Sequence, residues 1–439
     1  MNAGDDDTGY TGFIWSCIEG HTDVIKLLLD SSESNNIDLN AKSIYGETGF
    51  MKACQNGKKD VVKLLLQNAA IKKIDLNAKD EYRNNAFMRA CIEGHTDVIK
   101  LLLHSSESNN ISLNAKDDRG YTGFLWACGG GHTEVVKLLL DSPESNNIDL
   151  NVKNKRGQTG FMIACYNGKT EVVKLLLQDA AIKNIDLNAR DKIGKTAFHE
   201  VCYIEEKNVL KLLLHYSNST KINLNARDDH GKTGFVIACF EGLKDVVKII
   251  LDHSNTKSID INAKCKGGLT GFIGACIHGR EDVVKLLIHN STNKNIDLNA
   301  RTKCGDSAFI KACEKGNANK DVIKLLLDYS DSHNINLDAK DERGWTGYLT
   351  ACNRGSKNVI KLLLAYSDTN NIDLNAKDNF GWTGFMYACR NGYKDVVKIL
   401  LDHSGNRAID YKARNNRGKT AIMLASKYVA KLLEKYFEK

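Results

Sequence analysis

The sequence predicts an all-α solenoid of about twelve helix-turn-helix units, and three observations predict it. A short motif of the type Thr-Gly-Phe recurs along all 439 residues. Its step is 37 residues throughout, apart from one step of 39. A single proline, Pro143, stands where average usage of about 5% would place roughly 20. Length alone points to about three compact domains, an expectation the repeat overrides. Hydrophobic residues make up 42% and charged residues 26%, enough apolar material for a folded core and too much for bulk disorder.

The anchor residues of the units are Thr11, Thr48, Asn85, Thr122, Thr159, Thr196, Thr233, Thr270, Ser307, Thr346, Thr383 and Thr420. The long step, from Ser307 to Thr346, comes from two extra residues within positions 317–320. Residues 42–79 show why such a unit folds. Thr48 suits a helix N-cap, and its column holds only Thr, Ser or Asn, whose oxygens accept from free amides at a helix start. Phe50, Met51, Ala53 and Cys54 follow at helical spacing until Gly57 breaks the helix. Asp60 opens a second helix, where a carboxylate suits the positive end of the dipole. Val61, Val62, Leu64, Leu65 and Leu66 supply its buried stripe. A polar connector then leads into an extended run, Ile74 to Asp80, that ends in the next turn. Each unit is thus helix, turn, helix and hairpin-like finger. No unit can bury its apolar face alone, so neighbours stack.

On these residues the chain resembles the ankyrin-repeat family. The match lies in the turn glycine, the Thr that begins helix one, the pair Ala53-Cys54, Gly57, Val61-Val62, Leu64-Leu65 and Asn77-Ala78, repeated over essentially the whole chain. The family's T-P-L-H becomes Thr-Gly-Phe-apolar, with histidine in its slot at His199 alone. The period is four residues longer than the family's 33. The surplus follows helix two, as in Asp30 to Asn36, and four residues are about one helical turn. A lengthened second helix ended by a left-handed asparagine is therefore expected.

The resemblance implies one solenoid over residues 1–439. Met1-Asn2-Ala3 aligns with Leu39-Asn40-Ala41, so the chain begins at a repeat boundary, and residues 415–439 read as a C-terminal cap. A minimal protein and a piece of a longer array both fit. Natural duplication and consensus design both account for the near-identity of the units. The resemblance further implies that finger tips and the inner face of helix one line a concave groove that binds protein partners. The asparagine column, Asn40, Asn77, Asn114, Asn151, Asn188, Asn225, Asn262, Asn299 and Asn375, matches the position that asparaginyl hydroxylases modify in some such arrays.

Several columns imitate chemistry. Eleven of the thirteen cysteines form one column from Cys17 to Cys389, without the paired C-x2-C spacing that zinc requires. They read as small buried thiols, leaving Cys265 and Cys304 near finger tips as the exposed, modifiable pair. The net charge of +7 comes from one helix-two column that is lysine in every unit, from Lys26 and Lys63 to Lys398 and Lys431. Without those twelve, 49 cations face 54 anions. With Asp or Glu often three residues before, this ladder reads as a solvated face. A second basic column, from Lys42 and Lys79 to Arg414, sits at the finger base. The triplets Gly194-Lys195-Thr196, Gly231-Lys232-Thr233 and Gly418-Lys419-Thr420 lack the earlier glycine of a P-loop, having Ala189, Ala226 and Ala413 there. His21, His95 and His132 occupy a turn slot, and nothing places a nucleophile beside a base. No catalytic residue, metal, cofactor or small-molecule substrate is therefore expected.

Residues that vary between units at exposed places are where function should lie. All four tryptophans fall in two such columns. The position before the anchor holds Tyr10, Tyr121, Trp345 and Trp382, and the position two after the Phe holds Trp15, Trp126 and Tyr387. Tyr45, Tyr82 and Phe380 add aromatics on the fingers. These ten residues form two groups, in units one to four and in units ten and eleven, and are the candidate partner-binding residues. Unit six departs most from the pattern, with Ala197, His199 and Glu205, and reads as a weaker joint.

The function read from this is a non-enzymatic scaffold or adaptor that binds a protein partner through its groove, as a monomer. Electrostatic binding of nucleic acid or anionic membrane through the lysine ladder is the alternative. A spacer without a dedicated ligand is a third reading. No apolar run approaches the ~18 residues of a bilayer span. Met1 to Tyr10 is acidic and polar, unlike a signal or transit peptide. The chain reads as cytoplasmic, its cysteines reduced.

Overall fold

The computed structural model describes residues 4–142, 147–253, 259–403 and 409–437. Met1 to Ala3 at the expected repeat boundary, Pro143, and Glu438-Lys439 of the expected cap lie outside the described residues. Every repeat is a pair of helices, and among the described residues there is no β-strand.

Helix one starts one residue after the anchor, as in Gly49–Gln55, Gly123–Gly130 and Gly347–Arg354. The anchor stays extended, and its side-chain oxygen accepts an amide of the first turn. Thr48 accepts from Met51 at 3.3 Å, Asn85 from Met88 at 2.9 Å and Ser307 from Ile310 at 3.2 Å. Repeat six alone has histidine in this turn, and the Thr196 amide donates to His199 Nδ1 at 3.1 Å. Repeats one to five and seven to eleven cap with the anchor oxygen and need no histidine.

The glycine after the anchor is set by packing. A Cβ on Gly160 would stand 2.7 Å from Phe124 and 2.9 Å from Cys128 of the preceding repeat, and Gly49, Gly123 and Gly384 are placed alike. Gly or Ala therefore replaces the proline of the related pattern, because the large Phe of one repeat lies on the backbone of the next. Phe50, Phe87, Phe124, Phe235, Phe272 and Phe385 are all buried. The cysteine column beneath them is buried too, its thiols free. Burial pushes Cys352 and Cys389 up to about 12.

Cys304 is exposed as expected, but Cys265 is buried. It packs with Val236, Phe240 and Ala263, and its thiol lies 3.4 Å from the Lys266 carbonyl. The residue after the finger-base cation is folded beneath the turn, where other repeats bury Asp80, Asp117 or Asp378.

Helix two reaches fourteen residues in two of the described repeats, Lys59–Lys72 and Lys207–Thr220. Those two end on left-handed lysines, Lys73 and Lys221. Elsewhere, as in Thr96–His104 and Lys394–Leu401, the surplus residues follow the helix as separate turns. The left-handed asparagines Asn36, Asn110, Asn184 and Asn371 end those turns and not the helix itself. The two extra residues of the long step form a 3-10 turn, Gly316–Asn319. From it Asn319 donates to the Cys276 carbonyl at 2.7 Å, the kind of backward reach His95 and His132 make to Gln55 and Ile92.

Two compact units divide the chain, Met1–Asn223 with repeats one to six and Leu224–Lys439 with repeats seven to twelve. Within each, three devices tie successive repeats. Each finger amide reaches the finger before it, as Glu81 to Tyr45 at 3.1 Å in the first unit and Asn416 to Phe380 at 3.0 Å in the second. The asparagine column spans repeats through both ends of its amide. Asn114 donates to the Asn147 carbonyl at 2.7 Å and accepts from Asp149 at 3.1 Å, and Asn262 does the same with Asn295 and Asp297. The finger-base cations donate to the backbone of the next repeat, Lys153 to Arg190 at 2.9 Å and Lys340 to Lys377 at 3.0 Å. That column is thus structural.

All twelve ladder lysines are exposed. Lys26 makes the expected in-helix pair with Asp23 at 3.5 Å. Outside the ladder, Lys59, Lys244 and Lys357 at the start of helix two pair between repeats with Asp97, Asp282 and Asp395. Exposed pairs of this kind add little stability. Among the described residues no helix is long and apolar enough to cross a membrane.

Candidate partner-binding face

The two variable columns meet in space. The finger residue before the anchor and the helix-one residue five later lie ring to ring: Tyr10 and Trp15 at 5.4 Å, Tyr121 and Trp126 at 4.8 Å, Trp382 and Tyr387 at 5.1 Å. Trp345 of repeat ten joins the last pair, 5.0 Å from Tyr387. Seven of the ten candidate residues therefore fall into three clusters. Tyr45, Tyr82 and Phe380 stand exposed on finger tips, Phe380 beside the last cluster.

A buried finger residue sets these positions. Asp117 accepts the amides of Arg119 at 2.8 Å and Tyr121 at 2.7 Å, and Asp378 those of Phe380 at 2.9 Å and Trp382 at 2.8 Å. A side-chain acceptor that closes its own turn in this way fixes where the aromatic points. The second oxygen of Asp378 takes the Tyr387 hydroxyl at 2.6 Å, so burial and this bond push the phenol well above its ordinary value.

The clusters differ in charge. In the first, the Tyr10 hydroxyl donates to Glu47 at 2.8 Å and the Trp15 indole to Asp5 at 3.1 Å. Glu47 also faces Lys52 at 3.6 Å and Arg89 at 3.4 Å, and Arg89 turns its Nε to Asp80 at 2.9 Å. Burial, then the bond to Glu47, pushes Tyr10 up to about 12. Cations and carboxylates here satisfy one another.

In the later clusters arginines lie over the rings. Arg119 is 4.8 Å from the Trp126 ring, Arg343 is 4.8 Å from Trp345 and Arg390 is 5.0 Å from Trp382. Such stacking is a cation–π attraction. The motif Arg-Gly-aromatic, at Arg119-Gly120-Tyr121 and Arg343-Gly344-Trp345, marks two of these pairs in the sequence. The middle repeats repeat the pairing with lysine, Lys195 over Tyr203 at 4.8 Å and Lys232 over Phe240 at 4.3 Å. In repeats eleven and twelve the face opens into a cavity of about 500 Å³ between Phe380, Trp382, Tyr387, Arg390 and Leu424.

This face offers shape, apolar surface and charge for recognition. Among the described residues no group of three or more His, Cys, Asp or Glu side chains is gathered so as to hold a metal.

A family model described as ankyrin repeats, in three copies, matches residues 13–117, 109–191, 180–265, 204–302, 272–378 and 370–438. No curated protein matches the sequence. Among solved structures 567 chains match. One of these is the crystal structure of the ankyrin repeat domain of Bcl-3, described as a unique member of the IkappaB protein family. It is 20% identical with a TM-score of 0.46, over 55% of this chain and 99% of that one. The matches run almost from end to end, over the same paired helices and fingers that the anchors delimit, and the chain belongs to the ankyrin-repeat family.

Proposed function

We propose that this protein is a non-enzymatic adaptor that holds a protein partner against the face built from finger tips and helix one. Ankyrin repeats are in general protein–protein interaction modules, and this reading assigns the face and the residues. The observation that carries it is the convergence of the variable aromatics. Residues set 5 and 42 positions apart come ring to ring, while the repeated Phe and Cys columns are buried and the asparagine and finger-base columns bond to neighbouring repeats. Aromatic and arginine side chains are the residues most enriched at interface hot spots. The free thiols fit a reducing compartment such as the cytoplasm.

A quantitative pull-down tests this with the native chain and a Trp15→Ala, Trp126→Ala, Trp345→Ala, Trp382→Ala variant of unchanged helical circular dichroism. The expected result is a protein partner retained at raised salt by the native chain and lost by the variant. A ligand that both chains hold, and that salt strips from both, moves the function to the exposed lysine ladder.

A further inference from the structure

We propose that the cavity of repeats eleven and twelve seats an acidic segment of the partner, with a Glu or Asp side chain on its cations and a neighbouring apolar side chain on the exposed Phe380. This rests on reading the face as partner-binding. The cavity is lined by Arg390, Arg417 and Lys419 and by no carboxylate, and all three cations are exposed. The nearby Asp378 is buried and spent on the Phe380 and Trp382 amides and the Tyr387 hydroxyl. The contrast with the first aromatic cluster decides the sign. There Glu47 and Asp80 answer Lys52 and Arg89 from within the chain. Here no carboxylate lines the cavity, so its cations are open to one from a partner.

The geometry also separates a peptide from a nucleic acid. Single-stranded nucleic acid needs open ring faces on which bases stack. Trp382 is taken by Arg390 at 5.0 Å and Tyr387 at 5.1 Å. A guanidinium that lies over a ring still has N–H groups to offer a carboxylate. A volume of about 500 Å³ suits a few side chains, in the usual range of small recognition sites.

The test uses the full chain and labelled twelve-residue synthetic peptides, one alternating Glu with Leu and Phe, the other with Lys in place of Glu. Fluorescence anisotropy should show binding of the Glu peptide and not the Lys peptide. Arg390→Glu with Lys419→Glu should weaken it by about tenfold or more, as expected for charge reversal at a close pair. Trp382→Ala should weaken it too, whereas Lys398→Glu, on helix two of repeat eleven, should leave affinity within about twofold. Equal binding of both peptides, indifference to the double reversal or to Trp382→Ala, or displacement by a twelve-residue oligo-dT at lower concentration overturns the proposal. If the Glu peptide fails to bind while partner capture still depends on the tryptophans, this proposal falls and the face reading stands. If capture is independent of the tryptophans, the face reading falls as well.

Discussion

Glu205 stands where ten other repeats need a tight turn between helices, and it holds φ at 64°. Left-handed backbone costs a residue with a Cβ about 1 kcal/mol or more relative to glycine. Glu205→Gly should therefore raise the stability of the region by about 1 kcal/mol, read as a shift in urea midpoint at unchanged slope. Glu200, in the same repeat, makes a pH-dependent case. Burial holds its carboxyl above the ordinary value of 4.5, against the pull of Lys195 and with a push from Asp191. A raised folded value means the folded chain binds the proton more tightly than the unfolded one. The stabilisation is then complete below about pH 4.5 and is lost as pH climbs through the raised value. Native chain should lose stability against a Glu200→Gln variant as pH climbs from about 4.5 through the raised value, and parallel melting curves would refute this.

At the scale of the element, the joint between repeats is the contact of Phe and Cys with the following glycine. At Gly160 a Cβ meets Phe124 at 2.7 Å, but Ala86 and Ala308 occupy the same column and are buried. A single methyl is thus absorbed by a small ring shift. Gly160→Ala should cost under about 1 kcal/mol and Gly160→Val about 3 kcal/mol, checked by chemical denaturation. The helices themselves were legible in the sequence, because cap, stripe and breaker repeat in fixed columns. The length of helix two was not. Lys59–Lys72 runs on through Ala69-Ala70-Ile71 and Lys207–Thr220 through Ser217-Asn218-Ser219, while Thr96–His104 stops before Ser105-Ser106. That choice is made by weak local preferences, without an apolar stripe to enforce it. Cys265 was misread for a related reason, since exposure at a finger depends on which way the turn folds its second residue. The aromatic columns could be seen in the sequence, and their convergence could not. It depends on Asp117 and Asp378 closing the finger turns, and only the Arg-Gly-aromatic motif hinted at the stacked cations.

Within each compact unit, the helix packing runs within a repeat or between adjacent repeats, helix one on helix one and helix two on helix two. Stability in such an array is a sum of repeat terms and nearest-neighbour terms, so damage stays close to where it is made. Gly160→Val places a clash between repeats four and five. Hydrogen exchange should then speed up in Gly123–Gly130, Gly160–Tyr166 and Thr170–Asp179. Amides in Gly347–Arg354 and Gly384–Asn391 should keep their native protection. A uniform loss of protection along the chain would mean that the array opens as one cooperative block. The same locality bears on recognition. The Tyr121–Trp126 cluster lies beside the clash, whereas Trp345, Trp382 and Tyr387 lie in the second compact unit. If stability is local, Gly160→Val should leave binding of the acidic peptide at repeats eleven and twelve within about twofold while loosening repeats four and five. Parallel exchange and anisotropy measurements on this one variant test whether the aromatic clusters are supported independently.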